Sequence, residues 1–250
     1  MILIALRPFG LLLGFLAMTW ALKSALMLRL SIAIALALPT IGGNLDAIEA
    51  LIVEPNALQL APLSLKEFGL GYALGFLASL PFFALQYAGA ITDAFRGENE
   101  TGTPDPGGGT LHTFSVMYLV IGFFAFFSFG GFERLIENLY SSYIIWPVSF
   151  SFPTFSASVG LQAVDILTRT IISAIWVALP LLGMLVVIEL AVSVAARLGR
   201  RFNFYDMAFP LKNLATALTL PLTAWLIWGL SDEKIAESSG ALMILQRFFE

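Results

Sequence analysis

The stretch FGLGYALGFLASLPFFALQYAGAIT, Phe68–Thr92, runs for 25 residues without a formal charge. A helix rises about 1.5 Å per residue and a bilayer's hydrocarbon core is about 30 Å thick, so about 20 mainly apolar residues cross it. The stretch therefore reads as a membrane helix. Thr113–Phe132 (20 uncharged residues), Thr170–Ile188 (19) and Asn213–Ser231 (19) read the same way, predicting four spans. Composition agrees: of 250 residues, 58% are hydrophobic and 12% charged, against roughly 25% charged in soluble domains. The expected class is an all-α membrane protein with multiple transmembrane-type helices.

The N-terminal third is less regular. Pro8–Leu22 and Leu30–Leu45 are uncharged but separated by Lys23 and Arg29, which leaves one long polar-notched helix or a short hairpin. A cleaved leader is not expected, because only Arg7 precedes the first apolar run and Lys23 follows it without a small-x-small site. The absence of cysteine excludes disulfides and thiolate chemistry, and a single histidine, His112, excludes a multi-histidine metal site. No basic tail points to nucleic acid.

Lys and Arg in short loops predict orientation. Arg197, Arg200, Arg201 and Lys212 place the 197–212 loop in the cytoplasm. Alternation then puts 93–109 on the same side, and 40–67, 133–169 and the tail from Asp232 outside. Pro147 and Pro153 break the apolar, serine-rich segment 133–169, which reads as a re-entrant or amphipathic hairpin buried against protein.

Several charged and small residues bear on function. Asp93, Arg96 and Glu100 share a helical face if the first span continues past Thr92, either as a solvated helix end or as a charged girdle beside a polar path. Asp165, Arg169 and Glu189 flank the third span. They read as helix-to-helix contacts or, in a secondary transporter, as a midplane site. Gly10 with Gly14, and Gly71 with Gly75, are small-xxx-small pairs, the latter beside Gly69, Ala78 and Ser79, and they mark helix faces open to close approach. The aromatic run at 123–132 covers every side of its helix and predicts apolar surroundings. Gly107–Gly109 lack the strand and the Lys-Ser/Thr of a phosphate loop. His112 has no nucleophile elbow beside it. No catalytic set and no cofactor site is expected.

ARLGRRFNFYDMAFPLKNL, 196–214, resembles the end of the export-apparatus proteins of type III secretion, the SctT/SpaR/YscT (FliR-like) family. The matching features are an Arg at the end of the penultimate span (Arg197 or Arg200), Asn203 with Phe204, and Pro210-Leu211-Lys212. Four further places agree in order: LKEFGLGYALGF (65–76) with Glu67, Gly71 and Gly75; AGAITDAFRGE (88–98) with Gly89, Asp93, Arg96 and Gly97; DPGGG (105–109); and GGFERLIENLYSSY (130–143). The Asp-x-x-Arg-Gly form leans toward the injectisome branch.

The resemblance implies one export-gate domain over 1–250 in the bacterial inner membrane, multi-pass and partly raised toward the periplasm. It implies assembly with R- and S-type subunits, and with U- and V-type components, around a path for unfolded secreted substrates. It also implies that the loop Gly97–Thr110 is a plug in that path, with Arg96, Gly97, Glu98, Glu100, Asp105, Pro106, Gly107, Gly108 and Gly109 as gate residues. Glu67, Gly71, Gly75, Gly89, Asp93, Asn203, Phe204, Pro210 and Lys212 would serve assembly. The reading from a different class is a small ion-coupled transporter.

Overall fold

The computed structural model describes residues 2–21, 26–40, 57–97, 103–104, 110–148, 159–198, 210–218, 221 and 224–225. Helix α1 (Ile2–Gly14) is followed by α2 (Leu16–Ala21), α3 (Leu26–Ala37) and a 3₁₀ turn (Leu38–Thr40). Helix α4 covers Ala57–Arg96, α5 Thr113–Ser128, α6 Gly131–Ile145 and α7 Val159–Leu198. Residues 210–218 are helical as well. Between α4 and α5, strands β1 (Thr103–Pro104) and β2 (Thr110–Leu111) pair antiparallel, with Thr103 opposite Leu111. Apart from that ladder, the regular structure of the described residues is helical.

Among the described residues, two helices are long and apolar enough to cross a membrane: Leu60–Arg96 in α4 and Val164–Ala195 in α7. They contain the expected spans Phe68–Thr92 and Thr170–Ile188 and overrun both. The expected straight span Thr113–Phe132 is corrected to the bent pair α5 and α6, which adds a third crossing only if the two count as one span. The cause is Gly130, which adopts φ 70°, a left-handed conformation that glycine enters without a Cβ penalty. Of the fourth expected span, 213–218 are helical, and most of the remainder lies outside the described residues. In the predicted broken hairpin, 133–145 belongs to α6 and 159–169 to α7, while 149–158 lie outside the described residues.

The helices form two compact units. The first draws on Met1–Leu80 and Phe127–Asp165. Here α3 lies against α1, and the buried Arg29 donates from Nη2 to Thr19 O at 3.2 Å. Helices α1 and α3 thus fold back on each other, the hairpin alternative for this part of the chain. The unit's core holds Ile4, Leu11, Leu12 and Phe15 with Leu63, Leu70, Leu74 and Leu139, all buried.

The glycine pairs explain how α1 and α4 meet. A Cβ on Gly71 would overlap Arg7 O, one on Gly75 would meet Leu11 O, and those on Gly10 and Gly14 would meet Phe68 O and Tyr72 O. The two small-xxx-small faces therefore pack on each other within one chain. Ser79 secures the break at Phe15: its hydroxyl accepts from Leu16 N at 2.7 Å and lies 2.8 Å from Gly75 O and 3.1 Å from Gly14 O. Backbone freed between α1 and α2 is thereby satisfied without water, as an apolar setting demands.

The second unit draws on Pro81–Phe126 and Ile166–Glu233. Its buried cluster is Ala88, Phe114, Tyr118, Val177 and Ala178, with Leu85, Ile91, Ile121 and Leu182 against it. Phe82 packs its ring tilted against Phe123, with centroids 4.9 Å apart, and edge-on against Phe126 at 5.4 Å. Phe124 is 67% exposed, so the aromatic run turns one side inward and leaves another for lipid or other chains.

Candidate functional site

Two polar centres stand out in these apolar units. The first closes the base of the 97–112 loop. An α-helix begins with four N–H groups that lack intrahelical acceptors, and a Ser, Thr, Asp or Asn at the cap position usually serves them. In α5 the first intrahelical acceptor is His112 O, which receives Val116 N at 3.1 Å, so His112 occupies the cap. The capping carboxylate comes instead from α4: Asp93 Oδ2 accepts Phe114 N at 3.0 Å and Ser115 N at 3.2 Å, and Oδ1 accepts Phe114 N at 3.3 Å.

Arg96 completes this centre. Its Nη2 donates to Asp93 Oδ1 at 3.1 Å, and its guanidinium carbon lies 4.8 Å above the Phe114 ring. Gly89 lets the helix start come this near, since a Cβ there would overlap Ser115 Cα. Gly97 ends α4 at φ 96°, with its N–H on Asp93 O at 3.1 Å. Asp93, Arg96 and Gly97 were expected near the loop, and all three belong to its base. Glu98, Glu100, Asp105, Pro106, Gly107, Gly108 and Gly109 lie outside the described residues.

Lys212 adds a second hold on the same unit. It pairs with Glu189 on α7 and lies 3.4 Å from Phe95 O in the last turn of α4. A cation there complements the negative end of the helix dipole. The Pro210-x-Lys212 element therefore ties its own segment to two other helices, and Glu189 has a helix-to-helix partner. Asn203 and Phe204 lie outside the described residues.

The second centre, in the other unit, surrounds Arg7. Its Nε donates to Glu67 Oε2 at 2.8 Å, Nη1 to Ser142 Oγ at 3.1 Å and Nη2 to Trp146 O at 2.8 Å. Arg7 and Glu67 have fully buried side chains. Lys66 reaches Glu67 Oε1 at 3.3 Å and Pro147 O at 3.2 Å. Tyr143 lies under the guanidinium, with its ring centroid 4.1 Å from Cζ. Its hydroxyl donates to Ile4 O at 2.7 Å, the carbonyl that Pro8, having no N–H, leaves without its helical partner. Glu67 was expected to matter. Arg7, Lys66, Ser142 and Tyr143 were not, although an arginine inside an apolar run signals a buried counter-ion.

Comparison with known proteins brings these elements under one heading. The family model for bacterial export proteins, family 1, matches residues 1–238. The chain belongs to that family. Among relatives of this export family, the Yop proteins translocation protein T of Yersinia pestis is 32% identical over 179 residues, covering 67% of this chain and 65% of that protein. The surface presentation of antigens protein SpaR of Shigella flexneri is 28% identical, covering 61% and 58%. The secretion system apparatus protein SsaT of Salmonella typhimurium is 29% identical, covering 62% and 60%. The chain thus aligns with less than two thirds of the length of each. Membership agrees with the resemblance drawn from the five motifs, and two of these relatives are named for translocation and for a secretion system apparatus.

Proposed function

We propose that this chain is a structural subunit of a type III secretion export gate in the bacterial inner membrane, forming part of the channel for unfolded substrates. Membership of the bacterial export family over 1–238 carries the reading. The relatives' names, translocation protein and secretion apparatus protein, supply its direction. The subunit performs no catalysis and gives a path, a seal and a scaffold. Its partners are R- and S-type membrane subunits, with U- and V-type components, and part of the assembly is raised toward the periplasm.

The loop Gly97–Thr110 is the plug of that channel. Prolines and glycines resist its setting as a helix, and its acids keep it wettable. The Asp93 centre supports this role because it holds the chain on both sides of the loop. A transporter has less support, since Glu189, one of the three charges it would use, is engaged by Lys212.

The test is native mass spectrometry of the tagged chain, purified in mild detergent from cells that co-express the neighbouring secretion genes. One copy held with several copies of two other small membrane proteins is the expected result. A lone monomer or homodimer despite those neighbours would overturn the reading.

A further inference from the structure

We infer that the C-terminal half of α7 is a docking surface for a transmembrane helix of another subunit, and that this helix brings a Lys or Arg side chain to Glu189. The inference rests on the proposed assembly and adds where one partner sits on this chain and what its contacting helix carries. Three observations in the second unit support it. Gly183, Val186, Val187, Leu190 and Val194 recur at helical spacings of three and four, so they form one stripe of α7, and all five are exposed. Nothing lies within 4 Å of a Cβ built on Gly183, so the stripe begins in an open notch of the kind that lets helix backbones approach closely.

Glu189 stands beside that stripe, and its side chain is 55% exposed although it pairs with Lys212. An ionised carboxylate has room for about four hydrogen bonds. Lys212 engages Oε2, and among the described residues no other group meets Glu189. Where a carboxylate of this chain is fully covered, at Glu67, it serves two cations at once, Arg7 and Lys66. A half-open carboxylate flanked by Val186, Val187 and Leu190 is costly to set against lipid tails, and a second cation offsets that cost.

Length argues for protein rather than lipid over this surface. The apolar run Val164–Ala195 has 32 residues, about 48 Å of helix against a hydrocarbon core of about 30 Å. Fitting it inside that core takes a tilt beyond about 50°, whereas spanning helices tilt by roughly 0–40°. Lipid tails therefore leave part of the exposed run uncovered. The end that carries Glu189 is the one whose charge selects a partner.

The experiment places a photo-crosslinking benzoylphenylalanine at Leu190 in cells that express the whole apparatus. Adducts are read beside co-purification of the partner subunits, at equal amounts of chain in the membrane fraction. The expected product joins this chain to another membrane subunit, at a helix that carries Lys or Arg. Glu189→Lys is expected to cut that adduct by more than about tenfold, through loss of a charge pair and new repulsion. Changing the partner's cation to Glu is expected to restore it. Glu189→Gln, which keeps the side chain's shape and drops its charge, is expected to lower the adduct by a smaller factor. Lys212→Met removes only the chain's own cation, so the adduct should persist.

Adducts with lipid alone, or within the chain, would overturn the inference, as would an adduct that Glu189→Lys leaves unchanged. Equal losses in Glu189→Lys and Lys212→Met would do the same, since Glu189 would then serve only the 210–218 segment. Partners that co-purify while Leu190 joins none of them sink this inference alone. The absence of any partner sinks the assembly reading with it.

Discussion

Gly69 and Gly71 lie two residues apart on α4 and have opposite surroundings. Nothing approaches the Cβ position of Gly69, whereas a Cβ on Gly71 would overlap the backbone carbonyl of Arg7. Gly71→Ala should therefore destabilise the chain by about 1–3 kcal/mol through overpacking. Gly69→Ala should be neutral or stabilising by up to about 1 kcal/mol, as a better helix former. Thermal denaturation of the detergent-solubilised protein separates the two, and equal shifts would contradict the α1–α4 contact. At Glu67, replacement by Ala leaves Arg7 and Lys66 buried without their anion and should cost about 3–5 kcal/mol, read in the same assay. The paired glycines were legible as close-approach faces because spacing alone reveals them. Their partner was not, since nothing in a four-residue spacing says which helix fills it. Arg7 was legible only as a charge near the start, because its meaning depends on Glu67, Ser142 and Trp146, supplied by segments far along the chain.

For the helices, length was harder to read than existence. The uncharged windows Phe68–Thr92 and Thr170–Ile188 located α4 and α7, but both helices run on through charges: Lys66, Glu67, Asp93 and Arg96 on α4 and Glu189 on α7 have partners inside the fold. A count of uncharged residues ends where a charge appears, whereas a helix ends where its backbone turns. For α4 that turn is Gly97. Gly97→Ala should cost about 1–2 kcal/mol, the penalty of a left-handed residue with a Cβ, and fray the last turn, seen as faster amide hydrogen exchange at Phe95 and Arg96. Lys212→Met should release the 210–218 segment and raise proteolytic cleavage between 199 and 209, while Lys212→Arg retains the pair with Glu189. Unchanged cleavage in Lys212→Met would argue against the ion pair. The capping of α5 by Asp93 was hidden, because a cap offered from another helix leaves no local pattern.

Across the whole molecule the exposed apolar surface is large. On α7, Trp176, Val187 and Leu190 are 66%, 64% and 60% exposed in the single chain, a surface that lipid or other proteins must cover. Val187→Lys should cost about 2.5–3.5 kcal/mol if that position lies at mid-bilayer depth and should lower recovery of the protein in the membrane fraction. Undiminished recovery would mean that this face borders a watery path. Membrane class and family order were both legible at this scale, since composition and five ordered motifs survive ignorance of the fold.

The Arg7 centre also bears on the order of synthesis. Arg7 leaves the ribosome first, its counter-ion follows 60 residues later, and Ser142 and Trp146 O follow 135 and 139 residues after it. Until Glu67 follows, a cation in an apolar helix has no counter-ion to offset its desolvation, and two of its hydrogen bonds wait for Ser142 and Trp146. Helix α1 is thus made well before all its partners exist, and chains cut short before Ser142 should leave the α1 segment accessible to degradation by membrane proteases.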